Sequence, residues 1–191
     1  MIVVCLGHVD KRPILYSLMK LLQSFGDVAV VTRNRQLQRL LESKSSSGYF
    51  NNIFVAISDA VPEAAILEAG CAPGDFDHII YDSIDVLPDR YDLCIHSKSF
   101  GLMEYESEVL GYKSDIVQYN FVYDGKTEKG CINIPVAFPL IKSVEEFEAR
   151  KLLIPIQCDV MQKSLSSLTA PQLKITEKDA LKILKRKWNE K

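Results

Sequence analysis

Short runs of β-branched and apolar residues alternate along this chain with stretches in which apolar residues recur every three to four positions. The first run, Ile2 to Leu6, is unbroken and predicts a strand covered on both faces. After a polar turn from Gly7 to Pro13, residues Ile14, Leu15, Leu18, Leu21, Leu22 and Phe25 fall at helical spacing, with Pro13 suited to the first turn and Gly26 to the end. The alternation continues. Strands are predicted at Asp27–Val31, Asn52–Ile57, His78–Tyr81, Leu93–His96, Ile116–Val122 and Ile132–Phe138, the last with Pro135 inside it and therefore at an edge. Helices are predicted at Gln36–Glu42, Pro62–Ala69 and Met103–Leu110, and from a Ser143 cap with Glu146 through about Leu153. The serine-rich stretch from Ser43 to Gly48 reads as a loop.

Strands alternating with helices predict an α/β fold with a central, mostly parallel sheet and helices on both faces. Residues 1–161 form the expected domain, and 162–171, rich in Ser, Thr and Gln, read as a linker. Residues 172–191 read as a basic amphipathic helix opened by Thr176 and Asp179, with Ala180, Leu181, Ile183, Leu184 and Trp188 on its apolar side.

Composition narrows the function classes. The chain has 191 residues, 47% hydrophobic and 25% charged, enough for one sizeable core. Its five cysteines lack any Cys-x-x-Cys pair, so buried thiols are expected and no metal site. No apolar run approaches the roughly 20 residues of a membrane-spanning helix, which together with the absence of a signal pattern predicts a cytoplasmic protein. The formal net charge of −2 argues against wholesale nucleic-acid binding, although the last twenty residues alone carry +4. Within them Lys182, Lys185, Arg186 and Lys187 are candidates for contact with an acidic partner, an anionic surface or nucleic acid.

In an open parallel sheet ligands bind beyond the carboxyl ends of the strands, so the turn after the first strand is where chemistry is sought. A phosphate-gripping loop needs glycines whose N–H groups curl around the anion, a lysine for the terminal phosphates and a hydroxyl for magnesium. Gly7 and Lys11 supply part of that set; His8, Asp10 and Arg12 do not. His8 and His96, both at strand ends on the same sheet edge, are a candidate acid/base pair, but no nucleophile motif accompanies them. Arg33, Arg35 and Arg39 follow the second strand and form a candidate basic patch.

The turn resembles the deviant phosphate loop of the ParA/MinD superfamily of P-loop ATPases, Lys-Gly-Gly-x-Gly-Lys-Thr. The register sets Leu6 at the signature lysine and Gly7 at the first glycine. His8 and Asp10 fall at the other two glycines, Lys11 at the invariant lysine and Arg12 at the threonine. The segment from Phe76 to Asp82 is similar to the family's strand ending in a magnesium-associated aspartate, and Asn120 to Asp124 to its strand end that faces adenine. Asp92–His96 and Ile132–Ile156 resemble further segments in the same order.

What the resemblance implies is a P-loop-like fold with a vestigial nucleotide or anion site at Gly7, His8, Asp10, Lys11, Arg12, Asp82 and Asn120. The departures remove hydrolysis from the expectation, because Asp10 sets a carboxylate where phosphate lies and a guanidinium at Arg12 cannot ligate magnesium. No catalytic residue and no cofactor is therefore expected. The implied role is a scaffold, localisation or assembly factor working through protein partners, with a homodimer as one state, for a pilus, secretion, conjugation or partition machine. A small P-loop kinase or ATPase and a nucleic-acid-binding accessory using the basic helix are the alternatives.

Overall fold

The computed structural model describes residues 1–42, 45–99 and 116–187. Eight strands form one sheet: β1 (Ile2–Leu6), β2 (Val28–Thr32), β3 (Ser47–Phe50), β4 (Ile53–Ile57), β5 (His78–Asp82), β6 (Leu93–Lys98), β7 (Ile116–Val122) and β8 (Ile132–Pro135). Their spatial order is β3-β4-β2-β5-β1-β6-β7-β8, and every neighbouring pair is parallel except β3 with β4. The predicted α/β class with a mostly parallel sheet is what the chain adopts.

The helices are α1 (Arg12–Leu22), α2 (Pro62–Glu68), α3 (Phe138–Arg150), α4 (Asp159–Leu173) and α5 (Glu177–Lys185). Alternate residues of each central strand point to opposite faces, which divides the core in two. Val3 and Cys5 of β1 face the larger half with Leu15, Leu18 and Leu22 of α1, whereas Val4 and Leu6 face a smaller half under Ala65 and Ile66 of α2. Each fully buried leucine of α1 contributes roughly 1.5–3 kcal/mol relative to exposure, so β1 and α1 fix the turn between them firmly in place.

Several boundaries differ from the sequence reading. Ser47 and Gly48 belong to an edge strand, not a loop, because Tyr49 and Phe50 pair antiparallel with Phe54 and Ile53. The segment after β2 is a 3-10 helix, Arg35–Leu40, capped by the Asn34 side chain on the Gln36 N–H. Strand β8 stops at Pro135, and α3 starts at Phe138 with Pro139 in its first turn, where a missing N–H costs nothing. Ser143 is thus no cap. It lies buried inside α3, donating to the Leu140 carbonyl at 2.8 Å and accepting from Gln157 N–H at 2.9 Å.

Residues 162–171, read as a linker, lie within α4. Their polar side chains bond back along the helix, Ser166 to the Gln162 carbonyl and Thr169 to that of Leu165, while Met161, Leu165 and Ala170 enter the core. The Thr176 cap of α5 forms as expected, its hydroxyl accepting from Asp179 N–H at 3.1 Å. The helix predicted over Met103–Leu110, and Trp188, lie outside the described residues. Among the described residues no helix is long and apolar enough to cross a membrane.

Candidate functional site

The turn from Gly7 to Lys11 lies at the carboxyl edge of the sheet, joining central β1 to buried α1. Gly7 has φ +108, a left-handed value that favours glycine, and a Cβ on it would lie 1.9 Å from the Ser97 carbonyl oxygen. Its N–H donates to the Ile84 carbonyl at 2.9 Å, which ties the turn to the end of β5. With Lys11, Asp82, Arg33 and Asn34 the turn lines an open cleft of about 390 Å³.

Lys11, which lines this cleft, is only 6% exposed. Its ammonium donates to the Gly7 carbonyl and to the Ser83 carbonyl at 2.7 Å, and pairs with Asp82 Oδ1 at 2.9 Å. The Thr32 hydroxyl donates to the other Asp82 oxygen. Both carboxylate oxygens of Asp82 are therefore engaged by the protein itself. Beneath them burial first, and then the Asp82 charge, push the Cys5 thiol well above its ordinary range, which leaves it a packing group.

A helix start attracts anions through its unpaired N–H groups. At α1 none is left over among the first four positions. Arg12 N–H donates to Asp10 Oδ1 at 3.1 Å, Pro13 has no N–H, and the Ile14 and Leu15 N–H groups donate to the Lys11 carbonyl at 2.9 and 3.0 Å. Asp10 is fixed in turn by the Arg12 guanidinium, with Nε at 2.9 Å from one oxygen and Nη2 at 2.6 Å from the other. This two-point bond is the geometry by which arginine recognises an oxyanion, here supplied by the chain's own carboxylate.

Arg12 also reaches Glu148 of α3 at 2.8 Å through Nη1, and the Tyr16 hydroxyl donates to the same oxygen at 2.8 Å. The hydrogen bonds to Asp10 raise the Arg12 pKa further above its ordinary value, against the opposing effect of burial, and Asp10 and Glu148 charges add to the rise. Burial, then the Glu148 charge, raises that of Tyr16. Glu148, Tyr16, Thr32 and Ser83 have no local sequence signal, since their partners lie up to 136 residues away.

The other candidates fall elsewhere. Asn120 is fully buried, but its amide donates to the Asn133 side chain at 2.8 Å and the Lys126 carbonyl at 3.3 Å, pinning the β7–β8 connection. It is not among the residues lining the cleft at the turn. His8 is exposed at the cleft, whereas His96 is buried with Nδ1 2.8 Å from the Gln118 side chain. Arg33 of the suggested basic patch pairs with Asp59 at 2.6 Å, and Arg39 lies 3.7 Å from Glu148. Lys182, Lys185, Arg186 and Lys187 are exposed, with Lys185 bonded to Asp159 at 2.7 Å.

Among the described residues no group of three or more His, Cys, Asp or Glu side chains is arranged to hold a metal ion. Comparison with protein-family models and with curated proteins returns no match to this sequence.

Proposed function

We propose that this chain is a non-catalytic relative of the ParA/MinD-type P-loop ATPases, acting through protein contacts as a scaffold, localisation or assembly factor. One observation carries the reading: the turn that resembles a phosphate loop consumes its own donors and cations. Asp10 sits on the first N–H of α1, and Lys11, at the position of the family's invariant lysine, is spent on Gly7, Ser83 and Asp82. A nucleotide tail would need to displace a carboxylate held by a two-point arginine bond and to extract a buried ammonium. The setting that the resemblance suggests, a pilus, secretion, conjugation or partition machine, supplies the class of partner.

The test is thermal unfolding with and without magnesium and ATP. A ligand present at about 100 times its Kd stabilises the folded state by about 2.7 kcal/mol, a readily measured rise in melting temperature. The expected result is no rise at millimolar ATP. A clear rise would return the chain to the active kinase or ATPase alternative.

A further inference from the structure

The β7–β8 connection brings a thiol against a largely buried ion pair at the carboxyl edge of the sheet. Lys98 ends β6, and the register aligns it with Asn120 of β7, and Asn120 with Asn133 of β8. The three side chains therefore stand on one face. Asn133 fastens the connection to that row. Its Oδ1 accepts from the Glu128 N–H at 2.8 Å, and its amide donates to the carbonyls of Glu128 at 2.9 Å and Cys131 at 3.3 Å. Glu128 is thereby set with Oε1 2.6 Å from the Lys98 ammonium, both side chains being mostly enclosed. The Cys131 thiol, partly exposed, lies beside both groups. Glu128 Oε2 is buried and accepts no hydrogen bond in this geometry, so its lone pairs are open to a further proton. None of the three residues lines the cleft at the turn after β1.

We propose that Cys131 is a site of oxidation by hydrogen peroxide, with Glu128 as the base that takes the thiol proton and Lys98 as the acid that completes the departing water. A sulfur lone pair forms the bond to one peroxide oxygen while the thiol proton passes to the Glu128 carboxylate. The O–O bond breaks, its electron pair leaves on the other oxygen, and that hydroxide takes a proton from Lys98 to become water. Sulfur is oxidised by two electrons to the sulfenic acid, and the peroxide is reduced. The Glu128 carboxyl then returns a proton to Lys98, its partner at 2.6 Å, which restores the ion pair. The resting groups suit these roles. Burial first, then the Glu128 bond, holds the Cys131 pKa above its ordinary value, so the thiol keeps its proton until a base removes it. Burial disfavours the Lys98 charge, but the Glu128 bond and the neighbouring thiol outweigh it and raise the pKa, which keeps a proton donor in place. The other cysteines sit differently: Cys5 and Cys94 are fully buried and Cys158 nearly so, while Cys71, partly exposed, neighbours the Tyr49 hydroxyl.

Treating the intact chain with dilute hydrogen peroxide and dimedone, which tags sulfenic acids, and then weighing its peptides reads each cysteine separately. Cys131 is expected to be tagged at least about tenfold faster than Cys71, since a positioned base supplies ~10²–10⁴ in rate. Glu128→Gln separates this route from ordinary thiolate chemistry. Because the carboxylate raises the thiol pKa, its removal would quicken a reaction that ran through free thiolate. Loss of the base should instead slow tagging of Cys131 by at least about tenfold. Lys98→Arg keeps the positive charge but a guanidinium does not give up its proton, so it should slow the reaction as well. The Cys71 rate, measured in the same sample, and untagged Cys5 and Cys94 report that each variant is folded, and the wild-type ratio needs no variant. Cys131 tagged no faster than Cys71, an unchanged or faster rate in Glu128→Gln, or a wild-type rate in Lys98→Arg would each overturn the proposal.

Discussion

If Lys11 and Asp82 are an internal strut and not an idle ligand site, removing one charge must cost what uncovering a buried ion costs. At 2.9 Å the pair attracts with about 6 kcal/mol at an effective dielectric constant of about 20. Desolvation of two nearly buried groups offsets much of this, so the net worth of the intact pair is small. Asp82→Asn removes the attraction and leaves the desolvation, because the ammonium stays enclosed with only the Gly7 and Ser83 carbonyls. The expected loss is about 3–5 kcal/mol. Lys11→Met should be comparably damaging, since it strands the Asp82 carboxylate with only the Thr32 hydroxyl. The double variant should lose much less than the sum, with a coupling near the upper end of roughly 0.5–3 kcal/mol. Urea unfolding at neutral pH, followed by far-ultraviolet dichroism, measures all three. A loss below about 1 kcal/mol for Asp82→Asn, the range of a solvated surface pair, would refute the strut. Additive single losses would refute it equally, and either result would reopen the turn as a phosphate site.

Gly7→Ala is expected to lower the melting temperature sharply: left-handed strain alone costs roughly 1–3 kcal/mol, and the new Cβ meets the backbone carbonyl of Ser97, which cannot swing aside. A melting curve unchanged from wild type would contradict the turn geometry. Lys20 of α1 gives a pH test, because burial, then the neighbouring Arg186 cation, lowers its pKa from 10.5 to about 8. Between those values the unfolded chain binds the proton more tightly, so this group makes stability rise with pH above about 8. Lys20→Met should flatten that rise in melts taken across the alkaline range.

The central elements were legible because local and tertiary preferences agree there. Ile2 to Leu6 is apolar on both sides and lies between two strands, and the α1 pattern has a proline at its start and glycine beyond its end. The misread segments are those where packing overrides composition. Ser47 and Gly48 are strand only because Ala56 and Val55 of β4 offer an edge, and 162–171 are helical although rich in Ser and Thr, because three apolar residues among them and just before them reach the core. At the site, sequence pointed to the turn and to Asp82 but not to their closure. Where a lysine side chain is directed depends on carbonyls at Gly7 and Ser83, and the Arg12–Glu148 bond joins the first helix to one more than a hundred residues later.

The last helix of the described chain is built into the molecule. Ala180 and Leu184 of α5 belong to the same core as the first strand, and α5 rests on both α4 and α1. Its cationic surface is accordingly a fixed wall of the body and no trailing arm. Trimming the chain before residue 172 would strip cover from the first helix, so any partner drawn to those lysines meets a rigid bank of charge whose spacing the fold itself sets.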